Sequence, residues 1–154
     1  MTDLSDLYNA RILELAAAIP PAKRLAAPDA TAQAHSKLCG STIVVDLKMD
    51  GNRVVEFGQT VKACLLGQAS ASVMGRNIVG ADAAELRQVA GEMRRMLKEN
   101  GPPPTGRWAD LAVLEPVRAV KARHTSTLLV FEAVERALDA VQADRQTLPD
   151  KATA

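Results

Sequence analysis

Residues 41–74 read STIVVDLKMDGNRVVEFGQTVKACLLGQASASVM, and this stretch decides the fold. Ile43, Val45 and Leu47 alternate with Thr42, Val44, Asp46 and Lys48, the period-two pattern of a strand with one buried face. Asp50-Gly51-Asn52 is turn chemistry, and Val54, Val55 and Phe57 follow as a second strand, so the spacing predicts an antiparallel hairpin. A third short strand is expected around Val61 and Ala63. After Cys64 the composition turns helix-compatible from Leu65 to Met74, until Gly75 and the stretch 77–80 interrupt it.

Upstream, Leu4, Leu7, Ile12, Leu13 and Leu15 space an amphipathic helix from about residue 3 to 18, stopped by Pro20-Pro21. Residues 20–38 mix Pro, Ala, Lys and Gln without clean periodicity and read as an irregular connection. Downstream, Asp82 with Glu85 three residues later forms a capping-box signal. The helix it opens carries Leu86, Val89, Ala90, Met93 and Leu97 on one face and stops near Asn100-Gly101. Arg87, Arg94 and Arg95 fall on its solvated face, and Met74, Met93 and Met96 read as core filling. Pro102-Pro103-Pro104 enforces an extended loop, a short helix is expected over residues 110–114, and a longer one over residues 125–141. The expected fold is α+β, a three-stranded antiparallel sheet packed against several helices. A single domain over residues 1–145 is expected, with residues 146–154 as a disordered tail.

Hydrophobic residues at 47% can fill an ordinary core, but aromatics at 3% mean that core is built from Ala, Val, Leu, Ile and Met. A net charge of +1 gives no electrostatic reason to expect nucleic acid or an anionic membrane as partner. No apolar stretch approaches the ~20 residues needed to span a bilayer. The opening Met1-Thr2-Asp3-Leu4-Ser5-Asp6 lacks the basic-then-apolar order of a signal peptide, and a cytoplasmic address is expected. In a reducing cytosol the two cysteines are expected as thiols or metal ligands, not as a disulfide. No catalytic triad ordering, phosphate loop or paired-carboxylate motif stands out, so the chain is not expected to be an enzyme.

Cys39 lies where the irregular segment meets the first predicted strand, beside Gly40, which permits close backbone approach. Cys64 lies where the sheet gives way to a helix, and a helix N-terminus favours the thiolate, the metal-binding and nucleophilic form. Both sit at element ends, where side chains can converge on one rim. On spacing alone, two cysteines separated by a hairpin also read as small buried apolar residues.

The surrounding residues go further. Cys39-Gly40, the turn at Asp50-Gly51, and Ala63-Cys64-Leu65-Leu66-Gly67-Gln68-Ala69-Ser70-Ala71-Ser72 resemble the NifU-like, IscU-like or SufU-like scaffolds of iron–sulfur cluster assembly. A third block, Val117-Arg118-Ala119-Val120-Lys121-Ala122-Arg123-His124-Thr125-Ser126-Thr127-Leu128, resembles the segment where that family carries its third cysteine. The extended segment before Arg123 looks most like the SufU-type branch. The resemblance implies a site of three thiolates and an aspartate. Here Ser126 stands at the third cysteine position, Ser41 at the aspartate position, and Lys62-Ala63 replaces the glycine-containing approach to the second cysteine. A serine hydroxyl must lose a proton of high pKa and is a poor ligand for iron or zinc.

The resemblance therefore implies a scaffold or carrier holding a transient iron–sulfur cluster, or zinc, on Cys39 and Cys64. His124 is the first candidate to complete the donor set, with His35 or a second molecule as further candidates; Ser41, Ser126 and Arg123 would surround the site. His124 precedes Ser126 by two residues, so it reaches the same rim only if the helix begins after it. Arg123 either balances thiolate charge or makes a surface ion pair. The implied partners are a cysteine desulfurase and other cluster-assembly proteins, with a homo-oligomer left open. Two alternatives stand beside the carrier: a sulfur acceptor for the desulfurase, with or without zinc, and a diverged interaction protein that keeps the fold without metal chemistry.

Overall fold

The sequence's strongest signal, the hairpin, forms as expected in the computed structural model, which describes residues 9–20, 23–38 and 40–147. Strand β2, Thr42–Asp50, pairs antiparallel with β3, Arg53–Lys62, from Thr42↔Lys62 to Asp50↔Arg53, with a bulge at Lys48/Met49. Gly51 turns the chain at φ 62, a left-handed conformation that glycine adopts at little cost. Ile43, Val45 and Leu47 point inward and are fully buried.

The third strand is not where the sequence places it. Val61 belongs to β3, which runs unbroken to Lys62, and the missing strand is β1, Ala30–His35, inside the stretch read as irregular. It pairs antiparallel with β2 from Ala30↔Leu47 to His35↔Thr42, giving the sheet order β1-β2-β3. Its inward residues are Ala30 and Ala34, too small to produce a hydrophobic alternation that could be read against Thr31 and Gln33. Backbone pairing with β2 supplies what side-chain pattern does not.

The outer sheet face is crossed by residues 23–25. A Cβ on Gly58 would lie 2.2 Å from the Lys23 carbonyl oxygen, so only glycine lets this strap lie flat. Opposite Gly58 in the register is Asp46, fully buried under the strap. Its carboxylate accepts from Arg24 Nε at 2.6 Å and Nη2 at 3.1 Å, from the Leu25 amide at 3.0 Å and from Thr31 Oγ1 at 2.6 Å. Burial alone raises the Asp46 pKa; the bonds from Arg24, Thr31 and Leu25 outweigh it and hold the pKa below its ordinary value.

Helices cover the other face. Helix α1, Ala10–Ala17, is capped by Asn9, whose side chain accepts from the Ile12 amide at 2.9 Å; residues 3–8 of the predicted helix lie outside the described residues. Helix α2, Leu65–Asn77, packs against α1 and is buried on nearly every side. Helix α3, Ala83–Lys98, opens with Asp82 accepting from the Glu85 amide at 2.8 Å. The capping box is not reciprocal, because Glu85 Oε2 instead accepts from Trp108 Nε1 at 2.8 Å and pairs with Arg107 at 3.0 Å. Arg87 and Arg94 are not merely solvated: they reach Asp139 at 2.9 Å and Glu135 at 2.7 Å on the last helix.

The segment predicted as a short helix over residues 110–114 is a longer 3-10 stretch, Gly106–Ala119. Its buried residues are Trp108, Leu111, Leu114 and Val117, a spacing of three that matches 3.0 residues per turn. A single turn, Lys121–Arg123, leads into α4, His124–Thr147, which packs on β1, β2, α2 and α3. Of the tail expected over residues 146–154, residues 148–154 lie outside the described residues. Buried apolar side chains from the strands, the α-helices and the 3-10 stretch form one cluster, in which Met74, Met93 and Met96 are core filling as expected. Among the described residues no helix is long and apolar enough to cross a membrane.

Candidate functional site

The site is built at one end of the sheet. Strand β1 ends at His35 and β2 begins at Thr42, so residues 36–41 make a hairpin connection. Two backbone bonds close it, from the Ser36 amide to Ser41 O and from the Gly40 amide to Ser36 O, both 2.8 Å. Gly40 sits at φ 74, where a side chain would be strained. Cys39 itself lies outside the described residues; its neighbours Leu38 and Gly40 are exposed in this connection. Strand β3 ends at Lys62, paired with Thr42, so the chain reaches Cys64 at the same end of the sheet.

Cys64 is the N-cap residue of α2, with extended backbone angles φ −66 and ψ 172, and its side chain makes no capping hydrogen bond. The residue is half-buried against the core. Its amide donates to Ser41 Oγ at 3.4 Å, a long contact that joins the hairpin connection to the start of the helix. Ser41 is buried. Ser41 therefore touches the main chain of Cys64.

Ser126 arrives from α4. A Cβ added to Gly67 would come 2.9 Å from Ala63 Cβ and 3.1 Å from Ser126 O, so α2 and α4 approach closely where Gly67 stands. Gly67 is in the first turn of α2, three residues after Cys64. The contacts of Cys64 with Ser41 and of Gly67 with Ser126 thus join the hairpin connection, the start of α2 and the start of α4. Ser126 is buried, and its Oγ donates to Arg123 O at 3.2 Å; Thr127 Oγ1 donates to the same carbonyl at 2.8 Å.

The histidines are placed differently from each other. Helix α4 begins at His124, not after it. His124 is 8% exposed, and its Nε2 lies 3.1 Å from Val117 O and 3.2 Å from Arg118 O. Carbonyls only accept, so Nε2 carries the proton there, and Nδ1 is the nitrogen left with a lone pair for a metal in the neutral ring. His35 is exposed at the end of β1, with Nδ1 2.8 Å from Thr42 Oγ1. Among the described residues no group of three His, Cys, Asp or Glu side chains is placed to hold a metal ion. Ser70 and Ser72, read as helix-packing residues, are fully buried in α2, and their hydroxyls have no hydrogen-bond partner among the described residues.

The sequence reading missed the hairpin connection that carries Cys39. Its signal was Ser36 and Gly40-Ser41 flanking a tight turn, masked by the weak pattern of β1. It also took Gly67 only as part of a motif, although its missing side chain is what admits α4.

The arrangement is an α+β domain with a cysteine-bearing rim where sheet, helix N-terminus and last helix converge. No family model matches the chain, and no curated protein matches it. Among solved structures, the N-terminal part of a nitrogen-fixing NifU-like protein from Brucella abortus is 55% identical, with TM-score 0.89. That match covers 91% of this chain and 97% of that one. By that identity and coverage, this chain belongs to the NifU-like family. Two more distant structures share the fold. A protein described as a candidate iron–sulfur cluster assembly scaffold for the SUF system, from the thermophile Fervidobacterium islandicum AW-1, is 18% identical with TM-score 0.80, covering 88% of this chain and 99% of that one. A hypothetical protein is 20% identical with TM-score 0.74, covering 86% and 99%.

Proposed function

We propose that this chain is a scaffold or carrier in iron–sulfur cluster assembly, with Cys39 and Cys64 as the thiolates that hold the cargo. The observation that carries this reading is the contact between Ser41 and Cys64, which brings the Cys39 connection and the α2 N-terminus to one rim. The family membership supports it. A cluster or a structural zinc ion calls for about four donors, and Cys39 and Cys64 would supply two of them. The remaining donors would be Nδ1 of His124, His35, or groups brought by a second molecule, so the cargo would be held loosely and passed on. Arg123, beside Ser126 in sequence, would offset thiolate charge. The protein would act in the cytoplasm with a cysteine desulfurase and other assembly proteins, as a carrier and not an enzyme, without nucleic acid or membrane.

One observation favours a second reading: the two lost donors, Ser41 and Ser126, are both buried and both hydrogen-bonded within the protein. In that reading a cysteine thiolate, that of Cys64 for example, attacks the outer sulfur of the desulfurase persulfide. The desulfurase cysteine leaves as thiolate and the sulfur moves without net oxidation.

Iron, zinc and acid-labile sulfide are measured in protein purified without oxygen, beside a Cys39→Ala, Cys64→Ala variant. Cysteine-dependent iron with matching sulfide is expected. Zinc alone, or no metal with persulfide on either cysteine after desulfurase treatment, would replace the carrier with the sulfur acceptor. The absence of all three would leave an interaction protein.

A further inference from the structure

We propose that the cleft at the N-terminal end of α4 binds a small polyanion carrying clustered phosphate or carboxylate groups. The cleft has a volume of about 540 Å³ and is lined by Leu97, Lys98, Asn100, Arg118, Lys121, His124 and Thr125. Leu97 is its one apolar residue, and no Asp or Glu lines it.

Along α3 and α4, Arg87, Arg94 and Arg136 each meet a carboxylate, at 2.9, 2.7 and 2.6 Å. In the cleft, Lys98 and Lys121 enter no ion pair among the described residues, although both are exposed. Arg118 is held by Gly101 O at 3.0 Å and only loosely by Glu115 at 3.5 Å. Its Nε is buried with no hydrogen-bond partner among the described residues, an unfavourable state for a guanidinium N–H.

The helix adds to the same field. The positive end of the 24-residue α4 opens at His124 and Thr125, with no acidic residue in its first turn. His124 Nε2 donates to the Val117 and Arg118 carbonyls, which fixes the neck between the 3-10 stretch and α4. Two lysines, an arginine and a helix N-terminus thus line one polar cavity. The cavity is larger than a single phosphate needs, which points to a molecule with two or more anionic groups. The cleft shares His124 with the donors considered for the cargo, but its charge comes from Lys98, Arg118 and Lys121.

Backbone and arginine side-chain NMR shifts are followed in the metal-free protein, titrated separately with pyrophosphate and with citrate at constant ionic strength. Saturable shifts centred on Asn100, Arg118, Lys121 and Thr125 are expected, and the tighter of the two ligands identifies phosphate or carboxylate as the recognised group. A Lys98→Glu, Lys121→Glu variant should bind roughly tenfold more weakly or worse, while Lys23→Glu, an exposed charge reversal elsewhere, keeps the affinity. No saturable shift at these residues with either anion, or equal losses in the two variants, would overturn the proposal.

Discussion

The main-chain carbonyl of Ser126 lies so close to Gly67 that a Cβ there would sit 3.1 Å from its oxygen. Neither that carbonyl nor Ala63 Cβ, which would lie 2.9 Å from the added Cβ, belongs to a flexible side chain. Gly67→Ala must push α4 from α2. The gain in helix propensity, about 1 kcal/mol, is outweighed by overpacking of about 1–3 kcal/mol. A lowered urea midpoint with unchanged m-value is expected, and a stabilised variant would contradict this close approach.

Position 126 also tests the rim. Ser126→Cys supplies a thiol where the family resemblance places one, on a buried position that already accommodates a side chain of similar size. Reconstitution under anaerobic conditions should then retain several-fold more iron and sulfide than the wild type, since thiolate is the far better ligand. Equal retention would mean that this position does not face the cargo.

Asp46 makes stability depend on acid. Its folded pKa is below the ordinary 3.8, because the bonds from Arg24, Thr31 and Leu25 outweigh burial. Between the two values the unfolded chain binds the proton and the folded chain does not, so stability rises with pH there. The contribution is complete above about pH 4 and is lost as pH falls through the folded pKa. Asp46→Asn should cost about 1–3 kcal/mol at neutral pH and flatten the acid limb of a stability–pH curve. An unchanged acid limb in the variant would remove Asp46 as its origin.

Trp108, the only tryptophan, reports on the junction between α3 and the 3-10 stretch. Glu85→Ala removes the acceptor of its indole N–H and the partner of Arg107. Thermal stability should fall by about 1–2 kcal/mol, with tryptophan emission shifted to the red as water reaches the ring. Unaltered emission would show that packing alone holds Trp108.

How much of this was legible in the sequence depended on side-chain contrast. The β2–β3 hairpin was, because Ile43, Val45 and Leu47 alternate with smaller or polar residues and Gly51 marks the turn. Helix α3 was, because its apolar stripe and the Asp82 cap agree. Strand β1 was not, because Ala30, Ala32 and Ala34 carry almost no hydrophobic signal. The 3-10 stretch was read short, since a three-residue period is easily taken for an interrupted helix. At the candidate site, Cys39, Cys64, Ser41 and Ser126 were legible as residue types at motif spacing.

What the sequence determined by itself was therefore the hairpin, the helical stripes, the family resemblance and the residue types in its motifs, all of which are local patterns or residue identities. Only the tertiary structure decided that β1 completes the sheet, that the residues 23–25 strap seals Asp46, that Gly67 admits Ser126, and that His124 turns its Nε2 to Val117 and Arg118. Those are contacts between segments distant in sequence, fixed by backbone pairing, excluded volume and the need to match buried polar groups, and no local pattern encodes them.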